Sequence, residues 1–159
     1  MSDTETNLKN AYETMTARIG EQRAPTEWFE ITQERINDFA DVTMDHQWIH
    51  IDPERASAGP FGKPIAHGQL TLSIMSFLPR EESIGLPQLE GQKLTINYGF
   101  DKVRFPSPVA VGARIRTTST LKRVEIKGTM LETMNELVVE VEGSEKPAVV
   151  AESLARLVF

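Results

Sequence analysis

Cysteine is absent from this 159-residue chain, which excludes a disulfide framework, a thiolate metal site and a cysteine nucleophile. That absence suits a reducing compartment, and the expectation is a cytoplasmic protein. Basic residues are outnumbered, 17 against 23 acidic ones, for a net charge of −6 and an isoelectric point near 5.1. Nucleic acid is therefore not expected as a partner, because phosphate binding needs a clustered basic surface. Long apolar runs are missing too. The richest, Leu70 to Leu78, is far short of the ~20 residues that cross a bilayer. The opening Met1-Ser-Asp-Thr-Glu-Thr-Asn has neither a basic region nor an apolar core and does not read as a signal peptide. A chain of this length suits one domain spanning 1–159, able to bury roughly two-thirds of its unfolded surface without a staple.

What is present divides into two halves. Residues 1–6 are polar and read as loose, and Asn7 to Ile19 carries a weak helical spacing. Glu27 to Ile31 reads as a short strand, and Thr32 as the N-cap of a helix that ends near Thr43 with Ile36, Phe39 and Ala40 toward a core. Asp45 to Pro64 is irregular, broken by Pro53, Gly59, Pro60, Gly62 and Pro64, with one helical turn expected from Pro53 to Ala58. Structured loops of that length more often carry function than merely connect. From Ala66 to Leu78 apolar residues cover nearly every face of a helix that Pro79 stops, so this helix belongs inside the protein.

After Gly91 the period changes to two. Leu94, Ile96, Tyr98 and Phe100 alternate with polar residues, and a phase slip near Asp101-Lys102 predicts a bulge. Ile115–Ile126, Met130–Val141 and Ala148–Phe159 read as three more strands. In the middle one Leu131, Thr133, Leu137, Val139 and Val141 share one face, with Glu132, Glu136, Glu140 and Glu142 opposite. Helices first and antiparallel strands after indicate an α+β domain, one sheet packed on a central helix. Its open edges are places for a second subunit.

The three histidines, His46, His50 and His67, all fall around the irregular stretch. Asp45 precedes His50 by five positions, close enough for a carboxylate and an imidazole to meet one small molecule and move protons near neutral pH. Spacing alone points first to a polar surface loop, or to a histidine hydrogen-bonded for structure. His67-Gly68 opens the apolar helix, where first-turn N–H groups lack internal partners. A glycine there lets a carbonyl approach the main chain, or only gives packing room. No HExxH or acidic ligand cluster supports a metal, and no G-x-S-x-G supports a serine nucleophile.

These motifs, in this order, resemble the MaoC-like (R)-specific enoyl-CoA hydratases, nearest the nodulation-protein-N-type branch. The resemblance rests on Asp45-His-Gln-Trp-Ile-His50, on Pro60-Phe-Gly-Lys-Pro-Ile-Ala-His67-Gly68, and on Ile96-Asn-Tyr-Gly-Phe-Asp-Lys-Val-Arg-Phe105 with Pro108-Val-Ala-Val-Gly112. It implies a hotdog fold, a curved antiparallel sheet around the helix at about 66–78, usually as a homodimer. It implies reversible hydration of a trans-2-enoyl thioester to a (R)-3-hydroxyacyl thioester, on coenzyme A or an acyl carrier, with no other cofactor. By resemblance Asp45 and His50 are the acid–base pair, the Gly68 N–H is the oxyanion donor and Ser76 supports the loop. Met44 stands where many members have glycine, and Gln47-Trp48 replace a common Asn-Pro. Lys93, Lys102, Arg104 and Arg114 are candidates for the coenzyme phosphates, Arg104 first. A hotdog thioesterase and a non-catalytic acyl-thioester binding protein are the alternatives.

Overall fold

The computed structural model describes residues 2–79 and 87–159. Helix α1 (Asp3–Thr16) starts before the expected Asn7, and residues 2–6, expected loose, form its cap and first turn. Ser2 Oγ accepts the Glu5 N–H at 3.3 Å while the Glu5 carboxylate accepts the Ser2 N–H at 2.7 Å. That reciprocal pair is a capping box, signalled by Ser-x-x-Glu in the sequence. Two short strands follow, β1 (Gln22–Arg23) and β2 (Phe29–Glu30). Thr32 caps α2 (Gln33–Thr43) through its hydroxyl, and Ile36 and Ala40 are buried. The irregular stretch holds two short helices, α3 (Trp48–Ile51) and α4 (Pro53–Ser57), the second with proline in its first turn as expected.

The central helix, α5 (Gly68–Ile74), is shorter than the 66–78 span, with turns continuing it to Phe77. Leu70, Thr71, Met75 and Leu78 are buried, but Phe77 is 75% exposed. Apolar periodicity alone does not separate a helix from the turns that follow it, and one side of this helix lies open. Four long strands complete the chain: β3 (Leu94–Arg104), β4 (Arg114–Lys127), β5 (Met130–Val141) and β6 (Val149–Val158). They pair antiparallel in the order β1-β4-β5-β6-β3, with β2 also on β4. The expected bulge appears as a register slip between Phe100 and Lys102, joined by another between Asn97 and Gly99. One antiparallel sheet on a central helix is the hotdog arrangement.

Leu131, Leu137 and Val139 share one face of β5 by parity, and helices cover both ends of that face. Leu8, Ala11 and Met15 of α1 pack near Leu131, with Leu121, Val124 and Leu157. Ile36 of α2 and Leu70 and Met75 by α5 pack near Val139, with Ile115 and Val149. The opposite face is laddered by ion pairs, among them Arg116–Glu140 at 2.6 Å and Lys122–Glu136 at 3.3 Å. Glu132 departs from its expected exposure. It is only 5% exposed, beneath Arg156 at 2.9 Å, the pairing a buried carboxylate needs.

Candidate active site

The loop after α2 begins with a residue in an unusual conformation. Met44 ends the helix at φ 63°, ψ 17°, the left-handed region that costs a side-chain-bearing residue about 1–2 kcal/mol. The reversal turns the chain into Asp45-His46-Gln47 and then α3. Gln33 Nε2 donates to the His50 carbonyl at 2.8 Å, and the Ile65 N–H to the Ile49 carbonyl at 3.0 Å. Residues 64–66 are in turn tied to 109–111, with the Ala66 N–H on the Val109 carbonyl at 2.7 Å and the Val111 N–H on the Pro64 carbonyl at 2.9 Å. Trp48, one of the unusual residues of the motif, supports the loop. A Cβ at Gly59 would lie 2.9 Å from its ring, and the Arg55 guanidinium sits 4.6 Å above it.

This scaffold brings three side chains together. His50 is 7% exposed, and its Nδ1 lies 2.7 Å from the Ile65 carbonyl oxygen. A carbonyl can only accept, so Nδ1 carries the proton and Nε2 is left with a free lone pair. His67, 3% exposed, is bonded the other way round, its Nε2 donating to the Asp45 carbonyl at 2.9 Å. The two imidazoles stack with centroids 3.8 Å apart and planes 26° from parallel. The Asp45 carboxylate comes within 4.0 Å of His67 Nε2 and keeps more than half its surface in solvent. Donor atoms of all three residues lie within 4.8 Å of one another. Burial pushes the His50 pKa below the usual imidazole value, helped by His67 beside it and opposed by the Ile65 bond and Asp45. His50 is thus a neutral imidazole near pH 7. The same three residues could also hold a metal ion, since a ring that donates one nitrogen's proton to a carbonyl leaves the other nitrogen free to ligate.

His50 opens into a cleft of about 380 Å³ walled by Phe61, Ile65, Ala66, Phe105 and Val109, with Gly68 and Thr71 of α5. Gly68 therefore reaches the same space as His50. A Cβ there would meet the Phe105 ring at 3.0–3.2 Å, so this glycine also makes room for an aromatic ring. The Thr71 hydroxyl is buried without a partner. The other candidates are dispersed. Ser76 is exposed and borders a separate groove with Phe77, Tyr98 and Phe100, away from His50. His46 pairs with Asp41 at 2.8 Å on the exposed side of the loop. Lys102 and Arg114 are engaged by Glu152 and Glu142, whereas Arg104, at the end of β3 beside Phe105, donates to the Val103 carbonyl.

Residues 14–142 match the family model of the MaoC like domain. The chain belongs to the MaoC-like dehydratase family. It is 53% identical over 146 residues to 3-hydroxyacyl-thioester dehydratase Z of Mycobacterium tuberculosis, covering 91% of this chain and 93% of that protein. It is 42% identical to nodulation protein N of Rhizobium leguminosarum bv. viciae, covering 90% and 88%. Among solved structures it resembles the (R)-hydratase of A. caviae involved in PHA biosynthesis, with a TM-score of 0.64 and 24% identity over 86% of this chain and 94% of that one, a likeness of fold. Against the MaoC-like motif as read in sequence, the structure adds the stacked position of His67 and the aromatic walls Phe61 and Phe105. His67-Gly68 marked the residue in the sequence, but not its stacking on His50. The walls carried no signal, because an aromatic residue in an irregular segment reads the same whether it lines a cleft or a core.

Proposed function

We propose that this MaoC-like protein catalyses the reversible hydration of a trans-2-enoyl thioester, with Asp45 and His50 as its acid–base pair. The observation that carries this reading is the tautomer of His50. With Nδ1 held by the Ile65 carbonyl, Nε2 is the free base of a ring that groups with the Asp45 carboxylate and belongs to a residue lining an apolar cleft. In the forward direction Asp45 orients a water molecule and His50 Nε2 takes its proton. The water oxygen bonds to C3, the C2–C3 π pair moves toward the thioester, and negative charge builds on the carbonyl oxygen. The Gly68 N–H faces that oxygen, and the pair returns a proton to C2. General acid–base catalysis supplies about 10²–10⁴ in rate and one oxyanion donor about 10²–10³, so the reaction needs both.

The apolar walls suit an acyl chain. Arg104 is the cation we assign to the phosphates of a coenzyme A or acyl-carrier thioester, since Lys102 and Arg114 already hold carboxylates. No further cofactor enters this chemistry. No described helix is long and apolar enough to cross a membrane, and we assign the protein to the cytoplasm on its lack of cysteine. We also assign a homodimer. β3 is a sheet edge whose Leu94, Ile96, Tyr98 and Phe100 are 42–52% exposed, and Phe77 beside them is uncovered. A second copy would pair that edge and cover the open side of α5.

The test is to follow enoyl absorbance and free thiol together when the protein meets a panel of trans-2-enoyl-CoA chain lengths. Loss of absorbance without thiol supports the hydratase. Thiol release would make the protein a thioesterase, and ligand binding without turnover would make it an acyl-thioester binding protein.

A further inference from the structure

His67 occupies the N-cap of α5, a position where a short polar side chain normally accepts a main-chain N–H of the first turn. It makes no such bond. Its ring turns instead toward a segment 22 residues earlier, donating from Nε2 to the Asp45 carbonyl. The donation leaves Nδ1 as a bare acceptor, and that nitrogen is buried with no partner. One face of the ring lies on His50 at 3.8 Å, and Phe39 of α2 stands 5.0 Å away at 54°. Two local rules are thus broken at one residue: a helix start gives up its side-chain cap, and a buried polar atom goes unsatisfied. Deviations of that kind persist where the surroundings require the group for something else.

We infer that His67 is the positioning residue for both members of the pair, its N–H holding the Asp45 main chain and its ring backing the His50 imidazole. The inference rests on the proposed roles of Asp45 and His50. Each of those side chains has one local anchor of its own, the Gln47 N–H at 3.4 Å for the Asp45 carboxylate and the Ile65 carbonyl for His50. Neither anchor fixes one relative to the other. His67 touches both, and because it opens α5 it also ties them to Gly68, the next residue.

Three substitutions separate the two contacts. His67→Ala removes both, His67→Gln restores an N–H near the Nε2 position, and His67→Phe restores only the flat ring. Activity is taken per folded molecule, with the folded fraction measured by circular dichroism. His67→Ala should lower kcat about a hundredfold with KM little changed, as misplacement of reacting groups does. His67→Gln should recover most of the loss, and His67→Phe less. Wild-type kcat in folded His67→Ala, or a KM rise that accounts for all the loss, would overturn the inference. Nitrogen-15 spectra of the histidine rings, assigned by removing His46 and His50 in turn, give a readout independent of turnover. They should show Nδ1–H on His50 and Nε2–H on His67, and a His67 ring with no proton on Nε2 would overturn the clamp. If Asp45→Asn and His50→Ala retain activity, the catalytic reading fails while the spectra still decide whether the clamp exists. If those variants are dead and His67→Ala is not, only the clamp fails.

Discussion

Along β5, Leu131, Leu137 and Val139 on one face are buried at 0–6% exposure, and on the other Glu132, Glu136 and Glu140 each meet a cation on a neighbouring strand. Between Met44 and Gly68 the pattern inverts. A methionine takes a glycine's conformation, two histidines are buried and stacked, and a ring nitrogen has no partner. Both regions belong to one small chain, so the contrast is not between good and poor folding. In the sheet, local preference, packing and charge agree. In the loop they are set against one another, and the sheet supplies the stability that holds them so.

That contrast is breakable, most sharply at the pair. Asp45→Asn and His50→Ala should each lower kcat by about 10² or more with little change in melting temperature for Asp45→Asn, and the double variant should lose far less than the product, because the two act as a unit. The sheet should answer in the opposite currency. Leu131→Ala, at a fully buried site, should cost about 2–5 kcal/mol by denaturant titration and leave activity per folded molecule unchanged. If the first pair of variants unfolds and the second loses only rate, the division of labour is wrong.

Gly68 lies at the boundary, since it touches both the cleft and Phe105. Gly68→Val should lower kcat/KM about tenfold or more by obstructing the carbonyl's approach to the main chain. If Gly68 only makes room for the ring, adding Phe105→Ala should restore the rate; continued loss in the double variant supports the N–H as donor. Met44→Gly should raise stability by ~1 kcal/mol, the relief of a left-handed residue less glycine's greater freedom in the unfolded chain. The smallest effect is on pH. Because the folded His50 has a lowered pKa, the unfolded chain gains its proton first as pH falls below the ordinary 6.5. Stability therefore declines from there down to the lower folded value and levels below it. His50→Gln should flatten that slope in denaturation midpoints measured across the range.

The sheet was legible in the sequence because period two persists over β4, β5 and β6, and the expected strand limits fall within about two residues of those observed. The bulge near Asp101 was legible for the same reason: a slip in a regular pattern is itself a pattern. β1 and β2 are two residues each, too short to have a period. Glu132 looked solvated because alternation reports the face of a strand but not what a neighbouring arginine covers. In the site, residue type and spacing raised Asp45, His50, His67 and Gly68 as candidates, the family resemblance gave Asp45, His50 and Gly68 their roles, and the structure gathers the four. Ser76 was carried by resemblance alone, and its exposed position on the turn after α5 sets it apart from them. The stacking of His67 on His50 joins residues 17 positions apart through tertiary packing, which no local spacing encodes.

The order of strands in the sheet has a consequence during synthesis. Among the described strands β3 pairs only with β6, as in the register of Lys102 with Glu152, although β4 and β5 are made between them. The β4–β5 hairpin can close as soon as it leaves the ribosome, its strands separated by the short turn at Gly128-Thr129. β3 cannot. Its Leu94, Ile96, Tyr98 and Phe100 wait unpaired until Val149–Val158 emerges, and only then is Phe105 fixed beside Gly68. The nascent chain therefore carries an apolar, aggregation-prone strand from the synthesis of β3 until β6 emerges, and the cleft is among the last features to form.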